Sequence, residues 1–397
     1  MPKTDSTVGC RPLSRRNFIK LAVAAGLLAG CQPAQPPDWS GRMANSVMRR
    51  QPYLAEKWGY EAGVVLLALK QVWQKTGQTP YLDYIKANID KFVGSNGNIQ
   101  TYRPDQYNLD QINTGKLLFL LYRHTGADRY QKAAELLKKQ LQTQPRTDDG
   151  GFWHKQIYPR QMWLDGIYMA SPFCAEFAQT FNDSSGFDEA VRQITLIERH
   201  TRDARTGLLY HGWDESKRER WANPRTGCSP CFWGRAVGWY LMALVDVLDF
   251  LPPNHAGYSP LVAILEQTAA AVAAVQDEAT GLWYQVLDQG RRAGNYLEAS
   301  ASSMMVYALA KGSNRGYINP RYGDVARRGY AGILNRFIKV ETDGLVSLTH
   351  ICAGAGLGGE PYRDGSFEYY VGEQIVTNDY KGVGPFIMAG AEIEAQS

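Results

Sequence analysis

Most of the short signatures that announce a catalytic or cofactor site are missing from this 397-residue sequence. It has no phosphate-binding Gly-x-x-x-x-Gly-Lys loop and no Gly-x-Gly-x-x-Gly run following a strand pattern. It also has no His-Glu-x-x-His and no EF-hand loop. These absences remove the usual nucleotide, zincin and calcium readings, so neither a cofactor nor a metal is expected. Histidine is scarce, at six residues, and so is cysteine, at positions 10, 31, 174, 228, 231 and 352. Cys228-Ser229-Pro230-Cys231 is a lone Cys-x-x-Cys; without a second pair at ligand spacing it is a weak zinc or redox signal. Cys174 and Cys352 read as small core residues, and a disulfide among the last four cysteines stays open in an oxidising compartment. A basic surface is missing too. The net charge is +4, and the first thirty residues, with Lys3, Arg11, Arg15, Arg16 and Lys20 against Asp5, carry all of it. The rest of the chain is neutral, so the basic balance belongs to the leader and is no sign of nucleic-acid binding; no nucleic-acid partner is expected.

The leader reads as an export signal. Ser14-Arg15-Arg16-Asn17-Phe18-Ile19-Lys20 resembles a twin-arginine motif, and the apolar run 21–28 is too short to span a membrane. Leu28-Ala29-Gly30-Cys31 resembles a lipobox, with Cys31 as the lipidation site. The expected organisation is a signal peptide over 1–30, an extended Pro-rich tether over 31–40 and one catalytic domain over 41–397. The expected location is the periplasm after export by the twin-arginine machinery. The protein would be held to a membrane through a lipid anchor only, at the outer membrane because Gln32 follows Cys31.

What the chain has in abundance is aromatic residues, with 10 Trp and 23 Tyr, and helical periodicity. The 3.6-residue pattern predicts helices over 58–75, 81–93, 109–123, 127–141, 164–180, 186–200, 232–250, 259–276, 297–311, 323–337 and 383–394. A short helix precedes them at 42–50, and a weak one lies near 367–376. Strand patterns are few and short. Two kinds of junction alternate. Thr76-Gly77 and Thr125-Gly126, with Gly186, Gly257 and Gly316, read as helix C-caps closing short αα turns. Gly97, Gly151, Gly207, Gly281 and Gly344 open longer aromatic loops at spacings of 54, 56, 74 and 63 residues. A period near 55 containing two helices means stacked helical hairpins. About six fit, as an open solenoid or as a closed barrel with the long loops gathered at its mouth.

The residues able to do chemistry lie on those loops. Asp165, in Tyr158-Pro159-Arg160-Gln161-Met162-Trp163-Leu164-Asp165-Gly166, sits where an apolar helix begins, and it reads either as a helix cap or as a desolvated acid able to donate a proton. Asp110, in Asn108-Leu109-Asp110-Gln111-Ile112-Asn113, lies 55 residues earlier at the same place in its hairpin. The two carboxylates are expected to face one cavity, where like charge would leave one proton shared between them; two equivalent caps are the alternative. His154 and His211 end equivalent glycine–aromatic loops. In Phe232-Trp233-Gly234-Arg235-Ala236-Val237-Gly238-Trp239, Arg235 offers a planar fork to a carboxylate between two indoles, or a cation–π core contact.

These stretches, with Tyr210-His211-Gly212-Trp213-Asp214, Tyr362-Arg363-Asp364-Gly365-Ser366-Phe367-Glu368-Tyr369-Tyr370 and Asn378-Asp379-Tyr380-Lys381-Gly382-Val383-Gly384-Pro385-Phe386, resemble the unsaturated uronyl hydrolases of glycoside hydrolase family 105 and its neighbour family 88. The resemblance runs in order along nearly the whole chain after the leader. It implies an all-α (α/α)6 barrel of six helical hairpins. The implied substrate is a lyase-generated oligosaccharide ending in a 4,5-unsaturated uronic acid, released by hydration of its C4=C5 double bond. It implies Asp165 as general acid/base and Asp110 as its partner, with His211 and Arg235 on the uronate and Trp163, Trp233 and Trp239 shaping the pocket. His154 and Tyr60 complete the expected substrate-binding set. Unsaturated galacturonyl-rhamnose is the expected substrate. The alternatives are an unsaturated glucuronyl hydrolase acting on ulvan or glycosaminoglycan fragments, conventional inverting hydrolysis by the same two carboxylates, and a non-catalytic oligosaccharide-binding lipoprotein.

Overall fold

The computed structural model describes residues 38–395. The expected signal peptide, the lipidation site expected at Cys31 and the expected tether up to residue 37 lie outside the described residues. In chain order the helices are α1 (Trp39–Arg50), α2 (Tyr60–Thr76), α3 (Thr79–Asp90), α4 (Lys116–Thr125), α5 (Asp128–Thr143), α6 (Leu164–Phe181), α7 (Ser185–Thr201), α8 (Gly234–Leu248), α9 (Tyr258–Ala274), α10 (Ala299–Asn314), α11 (Arg321–Arg336), the short α12 (Phe367–Gly372) and α13 (Tyr380–Glu394). Residues 38–40, expected in the tether, instead open α1: the Asp38 carboxylate accepts from the Gly41 amide at 2.9 Å, an ordinary N-cap.

Two helix types alternate, and composition separates them. α6, α8, α10 and α13 bury most of their residues, on more than one face, which is the pattern of a helix surrounded by others. α5 and α7 carry a single stripe, such as Phe187, Ala190, Ile194 and Ile197 on α7, and face solvent on the other side. The buried set forms a ring: α2 packs on α4, α4 on α6, α6 on α8, α8 on α10, α10 on α13, and α13 back on α2. The striped helices α1, α3, α5, α7, α9 and α11 lean on it from outside. The fold is a closed (α/α)6 barrel, not an open solenoid. No helix among the described residues is long and apolar enough to cross a membrane.

The short strands are Gln161–Trp163 (β1), Gly212–Asp214 (β2), Ile338–Val340 (β3), Val346–Leu348 (β4), Ile351–Cys352 (β5) and Ile375–Val376 (β6), paired antiparallel β1–β2, β3–β4 and β5–β6. Two local expectations change. Gly186 and Gly257 do not cap preceding helices; they lie at the starts of α7 and α9, and Asn182 (φ 55°) ends α6 instead. The stretch 109–115, expected in an α-helix, forms 3-10 turns at Leu109–Gln111 and Asn113–Gly115. Asn, Thr and Gly are weak helix formers, and the Thr114 hydroxyl is drawn to the Gly59 carbonyl at 2.7 Å.

The ring closes where α13 meets α2. A Cβ on Gly384 would lie 2.6 Å from the Val64 side chain and 3.0 Å from its backbone. Gly384→Ala is therefore expected to cost about 1–3 kcal/mol through overpacking, read as a lower denaturant midpoint with an unchanged slope. An unaltered midpoint would mean that the two helices have room to part.

Candidate active site

One backbone hydrogen bond recurs four times and sets the site. The amides of Leu109, Leu164, Gly234 and Ala299 donate to the carbonyls of His154, His211, Gln285 and His350, at 3.2, 3.0, 2.9 and 2.9 Å. Each ties the opening of one inner segment to the loop leading to the next. The residue after each donor is then Asp110, Asp165, Arg235 or Ser300, so these four are structural equivalents. The carboxylate equivalence read from the 55-residue spacing extends to Arg235 and Ser300, whose Nε and Oγ meet at 2.7 Å.

Asp165 lies in the first turn of α6 with no side-chain cap role. Its Oδ2 is 3.1 Å from His211 Nε2, yet neither atom has an aligned hydrogen-bond partner; a small rotation of the carboxyl would align them. The other His211 nitrogen, Nδ1, is 2.7 Å from the Tyr370 hydroxyl. Burial raises the Tyr370 phenol well above its ordinary range, so it stays a neutral O–H. Tyr370, His211 and Asp165 thus lie in one line, with the Tyr370 hydroxyl and the Asp165 carboxyl facing the two ring nitrogens of His211.

Asp110 is engaged differently. Its carboxylate binds Lys155 Nζ at 2.6 Å and lies 3.6 Å from His154 Nε2. Burial pushes the Asp110 carboxyl up, but the Lys155 ammonium and then His154 outweigh it, and the net position is below the usual aspartate value. This corrects the expectation of a proton shared between two like charges: Asp110 is an ionised group already matched to a cation. Burial pushes His154 down to about 4 against the pull of Asp110, leaving it a neutral ring. That ring stacks on Trp163 at 4.5 Å, and Trp163 stacks on Tyr158 at 4.7 Å.

The remaining expected residues also surround this space. Tyr60 opens α2; after burial and Glu61, the charges acting on its hydroxyl are Asp110, Arg235 and Asp165. Trp233 lies 4.8 Å from His211 and stacks on Tyr370 at 5.7 Å. Trp239 is deeper, stacked on Tyr168 at 4.8 Å with its edge toward Tyr60, so it forms the floor and not a wall. Arg235 departs from the expected open fork. Nε is held by Ser300, and Nη2 by the Cys352 carbonyl, with Glu298 at 3.6 Å. Only Nη1, buried and unpartnered, is free to bind. Cys174, Cys228, Cys231 and Cys352 are buried free thiols, and no three His, Cys, Asp or Glu side chains among the described residues are grouped to hold a metal.

Sequence reasoning passed over Lys155, Glu298, Gln285 and Tyr370. Lys155 directly follows a singled-out histidine, and Tyr370 ends a quoted motif; loop spacing measured from Gly281 also reaches Gln285.

The sequence profile of Glycosyl Hydrolase Family 88 matches residues 39–396. A protein of Agrobacterium fabrum is 43% identical over 230 residues, covering 56% of this chain and 97% of its own. The unsaturated rhamnogalacturonyl hydrolase YesR of Bacillus subtilis is 26% identical over 307 residues, covering 76% of this chain and 81% of its own. A family 105 glycoside hydrolase from C. acetobutylicum superimposes with a TM-score of 0.89 at 46% identity, over 90% of this chain and 100% of that one. The barrel and its carboxylate-bearing mouth are therefore those of a glycoside hydrolase. Within that class the chain belongs to the unsaturated uronyl hydrolases of family 105, and it also matches the profile of the neighbouring family 88.

The Asp110–Lys155 contact makes a prediction. Removing the ammonium in Lys155→Met leaves burial as the largest influence on Asp110, so its carboxyl should titrate at higher pH than in the wild type, read by carboxyl-carbon NMR. By linkage, a depressed aspartate stabilises the fold above its unfolded value of 3.8 and loses that contribution as pH falls through the folded value. The variant should therefore be less stable than the wild type at neutral pH and lose less of its stability on acidification, because Asp110 no longer gives up a favoured ionised state as pH falls. An Asp110 signal that does not move would remove Lys155 from this role.

Proposed function

We propose that this family 105 enzyme removes the terminal 4,5-unsaturated galacturonyl residue from rhamnogalacturonan fragments, leaving the rhamnose end. The observation that supports the reading most directly is the Tyr370–His211–Asp165 line, with the Trp163 ring 5.5 Å from that of His211. Asp165 would protonate C4 of the vinyl ether, C5 would take the charge, and water would add at C5 after losing a proton to Asp165. The resulting hemiketal opens and releases the sugar, so the acid is restored in each cycle. The unpartnered Arg235 Nη1 would meet the uronate carboxylate through one charge-assisted bond. Asp110, paired with Lys155, would position that end of the pocket and fix the local charge. The choice of galacturonyl-rhamnose is supported by the likeness to YesR, whose name states a rhamnogalacturonyl substrate.

Loss of the double-bond absorbance on offering lyase digests of rhamnogalacturonan, ulvan and glycosaminoglycans tests the substrate; a preference for either of the last two would overturn the galacturonyl-rhamnose assignment. Asp165→Asn keeps the shape and removes the proton, and turnover should fall by about 10²–10⁴-fold with the fold retained. Since Asn fills the same space as Asp, near-normal turnover would return Asp165 to a structural role.

Arg15, Arg16 and Cys31 support a further proposal: twin-arginine export followed by lipid anchoring in the periplasm, at the outer membrane. Fractionation of Cys31→Ala against wild type should move the protein from the membrane to the soluble periplasmic fraction. Equal partitioning of the two would end the anchor reading.

A further inference from the structure

A second cavity, of about 230 Å³, lies inside the barrel below the first turns of the inner helices. All six inner helices line it, through Gln71, Lys116, Tyr168, Asp246, Tyr307 and Met388. None of these residues belongs to the catalytic set. Three of them carry buried polar atoms without any partner: Lys116 Nζ, Tyr168 Oη and Gln71 Oε1. Each such atom is costly unless something in the cavity satisfies it.

The surrounding charges do not supply that partner. Lys311 takes both Asp246 and Asp249, at 2.7 and 2.6 Å. Glu176 is taken by Arg123 at 2.6 Å and Lys70 at 3.6 Å. Lys116 is left with its ammonium over the face of the Tyr168 ring, 3.8 Å from the centroid. Its surroundings thus hold an unmatched cation and an unmatched hydroxyl donor, both wanting an acceptor.

Gln71 adds the opposite requirement, and its orientation is set by its neighbours. The Tyr307 hydroxyl gives its proton to Asp246 at 2.7 Å, so toward Gln71 it can only accept. Gln71 Nε2 must therefore face it, at 3.0 Å, which leaves Oε1 as the acceptor without a donor.

We propose that this cavity binds a hydrogen phosphate ion, which accepts from Lys116 and Tyr168 and returns its own O–H to Gln71. A fully deprotonated oxyanion would satisfy the first two atoms and leave the third. The volume suits one phosphate with a few waters, each water occupying about 30 Å³. Burial pushes the Lys116 amine down to about 7 against the pull of Asp246 and Glu176. An anion beside it would favour the ammonium, so binding should take up protons near neutral pH.

The test is thermal melting of the mature protein titrated with sodium phosphate near pH 7, against sodium chloride and sodium sulfate at matched ionic strength. Wild type should show a rise that grows with the logarithm of phosphate above Kd, reaching about 3 °C at tenfold excess. Sulfate, with no proton to give Gln71, should produce a smaller rise, and chloride none. Lys116→Met should abolish the phosphate response. Tyr168→Phe, which removes a single oxygen, should weaken binding several-fold and serves if Lys116→Met does not fold. Broadening of the phosphorus NMR line by wild type, relieved in either variant, gives the same answer without melting. An equal rise with sulfate or chloride, or an unchanged response in both variants, would overturn the proposal and leave the cavity to water.

Discussion

The amide that opens an inner segment and donates to a carbonyl in the following loop holds the catalytic end of this barrel in register. Without a hydrogen bond the opening amides of a helix have no intrahelical partner. Here four of them are satisfied by the neighbouring hairpin: Leu109 by His154, Leu164 by His211, Gly234 by Gln285 and Ala299 by His350. A local need of each helix thereby becomes a contact between repeats. The two histidines cannot move without disturbing the start of a helix, and the side chains one residue further on are aimed at a common space. Asp165 reaches His211 because Leu164 is tied to it, and Asp110 approaches His154 through the same tie at Leu109.

Given that scaffold, charge decides what each equivalent position can do. Asp110 meets an ammonium and is held ionised, whereas Asp165 meets an imidazole able to give or take a proton. Two carboxylates placed alike by the backbone are driven into different roles by Lys155 and His211. The same divergence appears at the next two positions, where Arg235 is steadied by Ser300 and by the buried Glu298, whose carboxylate also accepts from the Ala301 amide at 2.6 Å. Glu298 is an N-cap and a counter-charge at once, so the guanidinium is steadied by the same residue that opens the helix.

The hairpin count and barrel were legible because inner helices are long and apolar, and because turn glycines mark the period. Asp110 and Asp165 were legible because nothing is inserted between them. Arg235 and Ser300 were not, since they follow at intervals of 70 and 65 residues. The segments 212–231 and 286–297 stretch those repeats beyond recognition. Lys155 was hidden for another reason. Its partner depends on the turn taken between His154 and Tyr158, which no periodicity encodes. The Arg235 fork was misread because Gly-Arg-Ala shows the guanidinium and says nothing of Cys352, 117 residues away, whose carbonyl occupies half of it.

That half-occupied guanidinium explains why a buried ion pair persists where an apolar contact would often be as stable. Arg235 and Glu298 offset each other, so the pair adds little net field. Its contribution is direction: with Nε and Nη2 held, the one N–H group left buried and unpartnered is Nη1. The favourable potential for an anion comes from elsewhere, from the N-termini of α2, α6, α8 and α10 gathered at one rim, each carrying a partial positive charge. Under the proposed reading, a uronate arriving there would meet a diffuse attraction from the helices and a single fixed donor able to orient its carboxylate. The barrel supplies the first through parallel inner helices, and the repeat-equivalent position after Gly234 supplies the second.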